Sequence, residues 1–251
     1  MFQRLLILLC LFTLPVQAEE VVASLSQNRV SITANFDGSD ILIFGAVKRD
    51  APTPEGPLDV IIAVSGPSEA VTVRRKDRRY GIWVNVDDVI IDNAPSFYAV
   101  STTGPLETIL SDADDLEHSI SIPRAIQSIG TAFSTDNPKD FTDAIIRIRT
   151  QKRLYQMMPG GVELSEDTLF ATSLSLPANL VEGDYTARIF LTRGGTVVDQ
   201  YDTIIDVRKV GLERWIYNLA HERPLIYGLL SLFIAIVAGW AASAVFRYIR
   251  T

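Results

Sequence analysis

Hydrophobic and polar positions fall into three regimes along the chain, and each predicts a different kind of element. Residues 5–14 form an apolar run after Arg4, interrupted only by Thr13. As a helix these ten residues reach only about 15 Å, half of the roughly 30 Å hydrocarbon core, so they cannot span a bilayer. Val16 and Ala18 fit the small positions of a cleavage site, so residues 1–18 read as a secretory leader with a mature start at Glu19. Residues 225–246 form a second, longer apolar run of 22 residues without a charge. Eleven of them are Leu, Ile, Val or Phe, worth about −3 to −7 kcal/mol of insertion free energy. This run predicts a transmembrane helix.

Between the two runs the dominant period is two. Val30, Ile32, Ala34 and Phe36 alternate with Ser31, Thr33 and Asn35, the pattern of a strand buried on one face. Residues 41–47 and 58–64 are more continuously apolar, and the Pro- and Gly-rich stretch 50–57 separates them. Residues 71–74, 80–86 and 97–102 continue the series, and 169–176, 185–192 and 196–207 resume it. Arg193-Gly194-Gly195 marks a hairpin, and Leu180 to Tyr185 resembles a corner tied down by a tyrosine hydroxyl. One interruption has helical period. Asn137-Pro138 is a cap and first turn, Phe141, Ile145, Ile148 and Tyr155 follow on one face, and Pro159-Gly160-Gly161 ends the pattern. The expected fold is mainly β. Two immunoglobulin-like antiparallel β-sandwich domains, residues 19–104 and 105–208, are followed by a C-terminal transmembrane helix, with an amphipathic helix over 137–158 inserted in the second domain. One composite sandwich is the alternative.

The flanks of the long run add detail. Leu212, Trp215, Ile216 and Leu219 share a helical face within 209–224, which predicts a short interfacial helix. Trp215, Tyr217, Arg223, Arg247 and Arg250 are then the membrane-interface anchors. Inside the span Ser231, Ala235, Gly239 and Ser243 recur every fourth residue, a ridge of small side chains that lets a partner helix or a second copy approach closely. A leader at one end and arginines on the tail 247–251 predict the bulk of the chain in the periplasm, the tail in the cytoplasm and the anchor in the inner membrane.

Charge and composition narrow the chemistry. A net charge of −7 argues against a nucleic-acid binder, which needs a positive contact field. The single cysteine, Cys10, lies in the leader, so the exported region has no disulfide and relies on burial. Asparagine is nowhere followed by x-Ser/Thr, which favours a bacterial envelope. Against this acidic background Arg74, Arg75, Lys76, Arg78 and Arg79 place five cations in six residues at an expected hairpin tip, a candidate site for an anion or an acidic partner. Residues 112–118 (DADDLEH) lack the glycine and the terminal glutamate of a calcium loop and read as a solvated acidic connector. With His118 and His221 the only histidines, and no phosphate loop or HExxH motif, no catalytic, cofactor or metal residue is assigned.

The strings RRKDRRYGIWVN (74–85), SFYAVST (96–102) and VGLERWIYN (210–218), the last running through HERPLIYGLL into the span, resemble the single-span transmembrane protein family of alphaproteobacteria over nearly the whole mature chain. The resemblance implies placement and architecture, and through an association with sulfite-exporter-type permeases an accessory subunit. It carries over no catalytic residue. The expected function is therefore a non-enzymatic, membrane-anchored interaction or accessory subunit that meets lipid and a membrane-protein partner or its own copy. The alternatives are anion sensing at the 74–79 cluster and hydrolysis by paired carboxylates.

Overall fold

The computed structural model describes residues 19–33, 35–50, 52, 55–126 and 138–249. The leader expected over 1–18, the cap Asn137 and the anchor Arg250 lie outside them. The chain divides into two units, one running to Val30 and over Asp37–Val207, the other comprising Ser31–Phe36 and everything from Arg208 onward.

Two large sheets, a two-stranded ribbon and a helical layer build the first unit. Strands β1 (Glu19–Leu25), β3 (Gly38–Arg49), β10 (Leu169–Pro177) and β9 (Glu163–Ser165) form one sheet in the order β1-β3-β10-β9. The other sheet runs β2-β12-β11-β4-β7-β8, from β2 (Arg29–Ile32), β12 (Thr196–Lys209), β11 (Gly183–Arg193), β4 (Leu58–Ser65), β7 (Tyr98–Thr102) and β8 (Tyr155–Pro159). The sheets face each other across Ile41, Ile43, Phe170 and Leu174 on one side and Ile62, Ile189 and Leu191 on the other. A buried hydroxyl pair, Ser101 on β7 and Thr172 on β10 at 2.9 Å, bridges them.

The second face of the six-stranded sheet is covered too. Ile61, Ala63, Tyr98, Val100 and Phe190 pack there with Ile109, Ile120, Ile122 and Ile145. These come from α1 (Leu106–Ile109), α3 (Ile122–Ala125), α4 (Pro138–Gln151) and the linking residues; α2 (Asp112–His118) completes the layer. Burial on both faces explains why the sequence of β4 is continuously apolar rather than alternating.

Four expectations need correction. Strands from both sides of residue 104 share both sheets, β3 pairing with β10 and β4 with β11, so the two separate sandwiches become one composite body. The parallel β7–β8 pair and the helical third layer are also absent from a seven-stranded immunoglobulin domain. The helix expected to reach residue 158 ends at Gln151: Leu154 N–H closes on Arg149 O, Arg153 takes a left-handed φ of 58°, and Tyr155 enters β8. The alternation over 30–36 yields only the four residues of β2, after which Phe36 N–H turns back to Thr33 O. Residues 112–118 are a helix. The expected tyrosine corner is present, Tyr185 Oη donating to Val181 O at 2.8 Å.

Candidate functional site

The five clustered cations sit on a long two-stranded ribbon, β5 (Ser68–Arg79) and β6 (Ile82–Pro95), joined by Tyr80-Gly81. Its proximal half packs inward through Val71, Val73, Val89 and Ile91 against the helical-layer core. Beyond Arg74 the β5 side chains are all exposed. The tip is a primed two-residue turn, both φ values being positive, 50° at Tyr80 and 86° at Gly81. Left-handed backbone costs a bulky side chain about 1–2 kcal/mol, so glycine or asparagine would be the cheaper residue at position 80. Tyr80 is nonetheless fully exposed there, with Ile82 65% and Trp83 68% exposed beside it.

The cations are not equivalent. Arg75 pairs with Asp87 across the ribbon, and Arg79 pairs with Asp77 at 3.4 Å. Arg74, Lys76 and Arg78 have no ion-pair partner among the described residues. Arg74, Arg75 and Lys76 face Asp140, Phe141 and Arg147 of α4 across a groove of about 300 Å³. Arg147 is the functional candidate that the sequence reading missed. Positions 140, 144 and 147 stand at helical spacing, a stripe visible once α4 is placed.

The acidic segment performs structural work. Ser111 caps α2, its Oγ accepting from Asp114 N–H at 3.2 Å. The Asp114 carboxylate accepts from Ser111 Oγ–H and from Val197 N–H at 3.1 Å; the Ser111 hydroxyl foremost, then the Val197 amide, lower its pKa below the usual aspartate value. Asp115 Oδ1 accepts the N–H groups of Ile120 and Ser121 at the far end. The guanidinium of Arg188 caps the last carbonyls, donating to His118 O at 2.6 Å, Ser119 O at 3.0 Å and Tyr98 Oη at 3.1 Å. Burial pushes the Tyr98 phenol up. Among the described residues, no three His, Cys, Asp or Glu side chains gather as metal ligands would. A cavity of about 630 Å³ has Asp37, Asp40 and Arg153 on its lining.

In the second unit, α5 (Leu212–Glu222) and α6 (Pro224–Ile249) are separated by Arg223 alone. Trp215 and Tyr217 are exposed, and His221 stacks on Tyr217 at 4.0 Å while its Nδ1–H donates to Tyr217 O at 2.9 Å. Pro224–Ser243 is long and apolar enough to cross a membrane, 20 residues or about 30 Å of helix. Ser231, Ala235, Gly239 and Ser243 are exposed along it. The Ser231 hydroxyl is satisfied inside its own helix, donating to Tyr227 O at 2.8 Å. A Cβ added at Gly239 would meet nothing within 4 Å. Arg247 lies in the last turns of α6.

A family model described as "Putative transmembrane protein (Alph_Pro_TM)" matches residues 20–248. No curated protein matches the sequence. Several solved structures resemble the chain weakly, two of which follow. The sporulation control protein Spo0M from Bacillus subtilis has a TM-score of 0.27 at 11% identity, over 81% of this chain and 54% of that one. A Mobiluncus mulieris adhesin with disulfide, isopeptide and ester cross-links has a TM-score of 0.27 at 8% identity, over 76% of this chain and 58% of that one. The chain thus spans little more than half of either.

Proposed function

The chain belongs to the transmembrane protein family matched over residues 20–248, and on that premise we propose that it is a non-enzymatic accessory subunit of an inner-membrane assembly. In this reading α6 anchors the β-rich unit on the periplasmic side, and the small-residue face of α6 docks a membrane partner, a permease subunit or a second copy. The observation that carries it is the exposed ridge at Ser231, Ala235, Gly239 and Ser243, with open space over Gly239. In lipid, close backbone approach and van der Waals packing are the main attractions between helices, and small residues permit both. Because a larger side chain at Gly239 meets nothing in its own chain, Gly239→Leu separates association from folding. In detergent co-purification or cysteine cross-linking of the full chain, Gly239→Leu with Ala235→Leu is expected to reduce partner recovery about ten-fold or more, the equivalent of 1.4 kcal/mol. Unchanged recovery contradicts the docking face.

A second reading is favoured by Arg147, which adds a fourth cation to the groove lined by Arg74, Arg75 and Lys76. There the protein senses a small oxyanion. Titration calorimetry of the full chain with sulfite, sulfate and phosphate decides it, and no heat from any of the three removes it.

A further inference from the structure

The distal half of the β5–β6 ribbon has features that the accessory reading does not use. Over residues 74–88 five cations stand against three carboxylates, in a chain whose net charge is −7. Two of the five are neutralised locally, Arg75 by Asp87 and Arg79 by Asp77. Arg78 stands opposite Trp83, Arg79 opposite Ile82, and the turn carries Tyr80. The exposed end therefore combines an indole, a phenol and an aliphatic side chain with the cations Arg78 and Arg79 beside them on β5. The groove against α4 begins several residues back from the turn, at Arg74, Arg75 and Lys76.

We propose that this tip is a peripheral membrane-docking site, in which Tyr80, Ile82 and Trp83 seat among the headgroups of an anionic lipid surface while Lys76 and Arg78 lie against lipid phosphates. Trp and Tyr are the residues that settle at the headgroup level, because an apolar ring and a polar tip are accommodated together only there. Lys and Arg near an anionic leaflet add electrostatic attraction, which opposes the acidic background of the rest of the chain. A single tip of this size needs little intrinsic affinity, because α6 already holds the chain to a bilayer at high effective concentration. The left-handed backbone at Tyr80 puts an aromatic ring, despite its conformational cost, at the turn that ends the ribbon. The inference goes beyond the accessory reading and is independent of which leaflet the unit faces.

The test uses the full chain with Cys10→Ser and Tyr80→Cys, so that an environment-sensitive fluorophore is placed uniquely at the tip. It is reconstituted into vesicles of phosphatidylcholine with or without phosphatidylglycerol. The expected result is a blue shift and quenching by spin-labelled lipid in the phosphatidylglycerol vesicles alone. That quenching should fall about five-fold for each cation removed in Lys76→Gln and Arg78→Gln. The same probe at exposed Glu117 should report water throughout. The proposal is overturned if position 80 reports water in both vesicles, if quenching ignores the cations, or if the probe is shielded without lipid quenching, as a protein partner would shield it. Unchanged partner recovery in the Gly239→Leu experiment would leave this result untouched.

Discussion

Replacing Glu19 by Gln is expected to lower the unfolding free energy of the β-rich unit by about 3–5 kcal/mol, read from denaturant midpoints of the full chain in detergent by circular dichroism. The Glu19 side chain is 3% exposed and stands between two guanidiniums, accepting from Arg49 Nε at 2.8 Å and from Arg193 Nη2 at 2.9 Å. Each arginine is held from behind: Arg49 also donates to Thr168 Oγ1 at 3.2 Å and to Asp167 O, and Arg193 to Gly56 O. The cluster joins β1 and β3 of one sheet to β11 of the other, so it fixes the two sheets against each other at one end. Neutralising the shared carboxylate leaves two positive charges close together and largely desolvated, and their mutual repulsion and unmet solvation set the magnitude. The pair Arg29–Asp206, at 3.1 Å, is the control: with the Arg29 side chain 70% exposed, Arg29→Gln should cost under about 1 kcal/mol, because water already screens that guanidinium. Similar losses from both variants would contradict the buried-cluster account.

Gly45→Ala is expected to destabilise by about 3 kcal/mol or more, because the added methyl has nowhere to go. Its Cβ would stand 2.5 Å from Val22 O, 2.5 Å from Phe170 Cζ and 2.9 Å from Ala23 Cα. A ring can rotate away, but the backbone of β1 can move only by breaking its register with β3, where Ala23 opposes Gly45. Phe170, paired with Gly45 from the other side, is itself buried and fills the space above it. Gly104→Ala, whose Cβ would meet only Ile109 Cγ2 at 3.6 Å, should cost under about 1 kcal/mol by the same measurement. If the two glycines respond alike, the close approach at Gly45 is not what sets the stability.

Local pattern foretold local structure well in this chain. The β11–β12 hairpin follows from Arg193-Gly194-Gly195, the corner at Tyr185 from the residues leading into it, and α6 from an apolar run too long and too pure for a strand. Pairing between distant segments was not legible. Alternation shows that β3 and β10 each have a buried face, but nothing in either segment says that the two are neighbours, and so the division at residue 104 failed. Short elements also escaped. The four to seven residues of α1, α2 and α3 are too few to display a period, and α2 is specified by its Ser111 cap rather than by an apolar stripe. Tyr155 misled for the opposite reason. It falls a whole number of turns after Ile148, so a strand residue of β8 completed a helical stripe by coincidence of spacing.

The candidate site shows the same division. The cations of the ribbon were plain in the sequence, but residues 74–79 are strand rather than the expected hairpin tip, because the turn's place at Tyr80-Gly81 and the length of both strands depend on cross-strand pairing. Arg147 reaches the groove only because α4 packs along the ribbon's base, a tertiary fact that no local signal contains.

The claim on which the functional reading rests is that the β-rich unit is exported and tethered by α6. Protease added to intact spheroplasts tests it most directly, with antibody tags at the carboxyl end and in the β11–β12 turn. Digestion of the β-rich unit with survival of a small fragment bearing the carboxyl-terminal tag is the predicted result. A protected β-rich unit with loss of the carboxyl-terminal tag would contradict it.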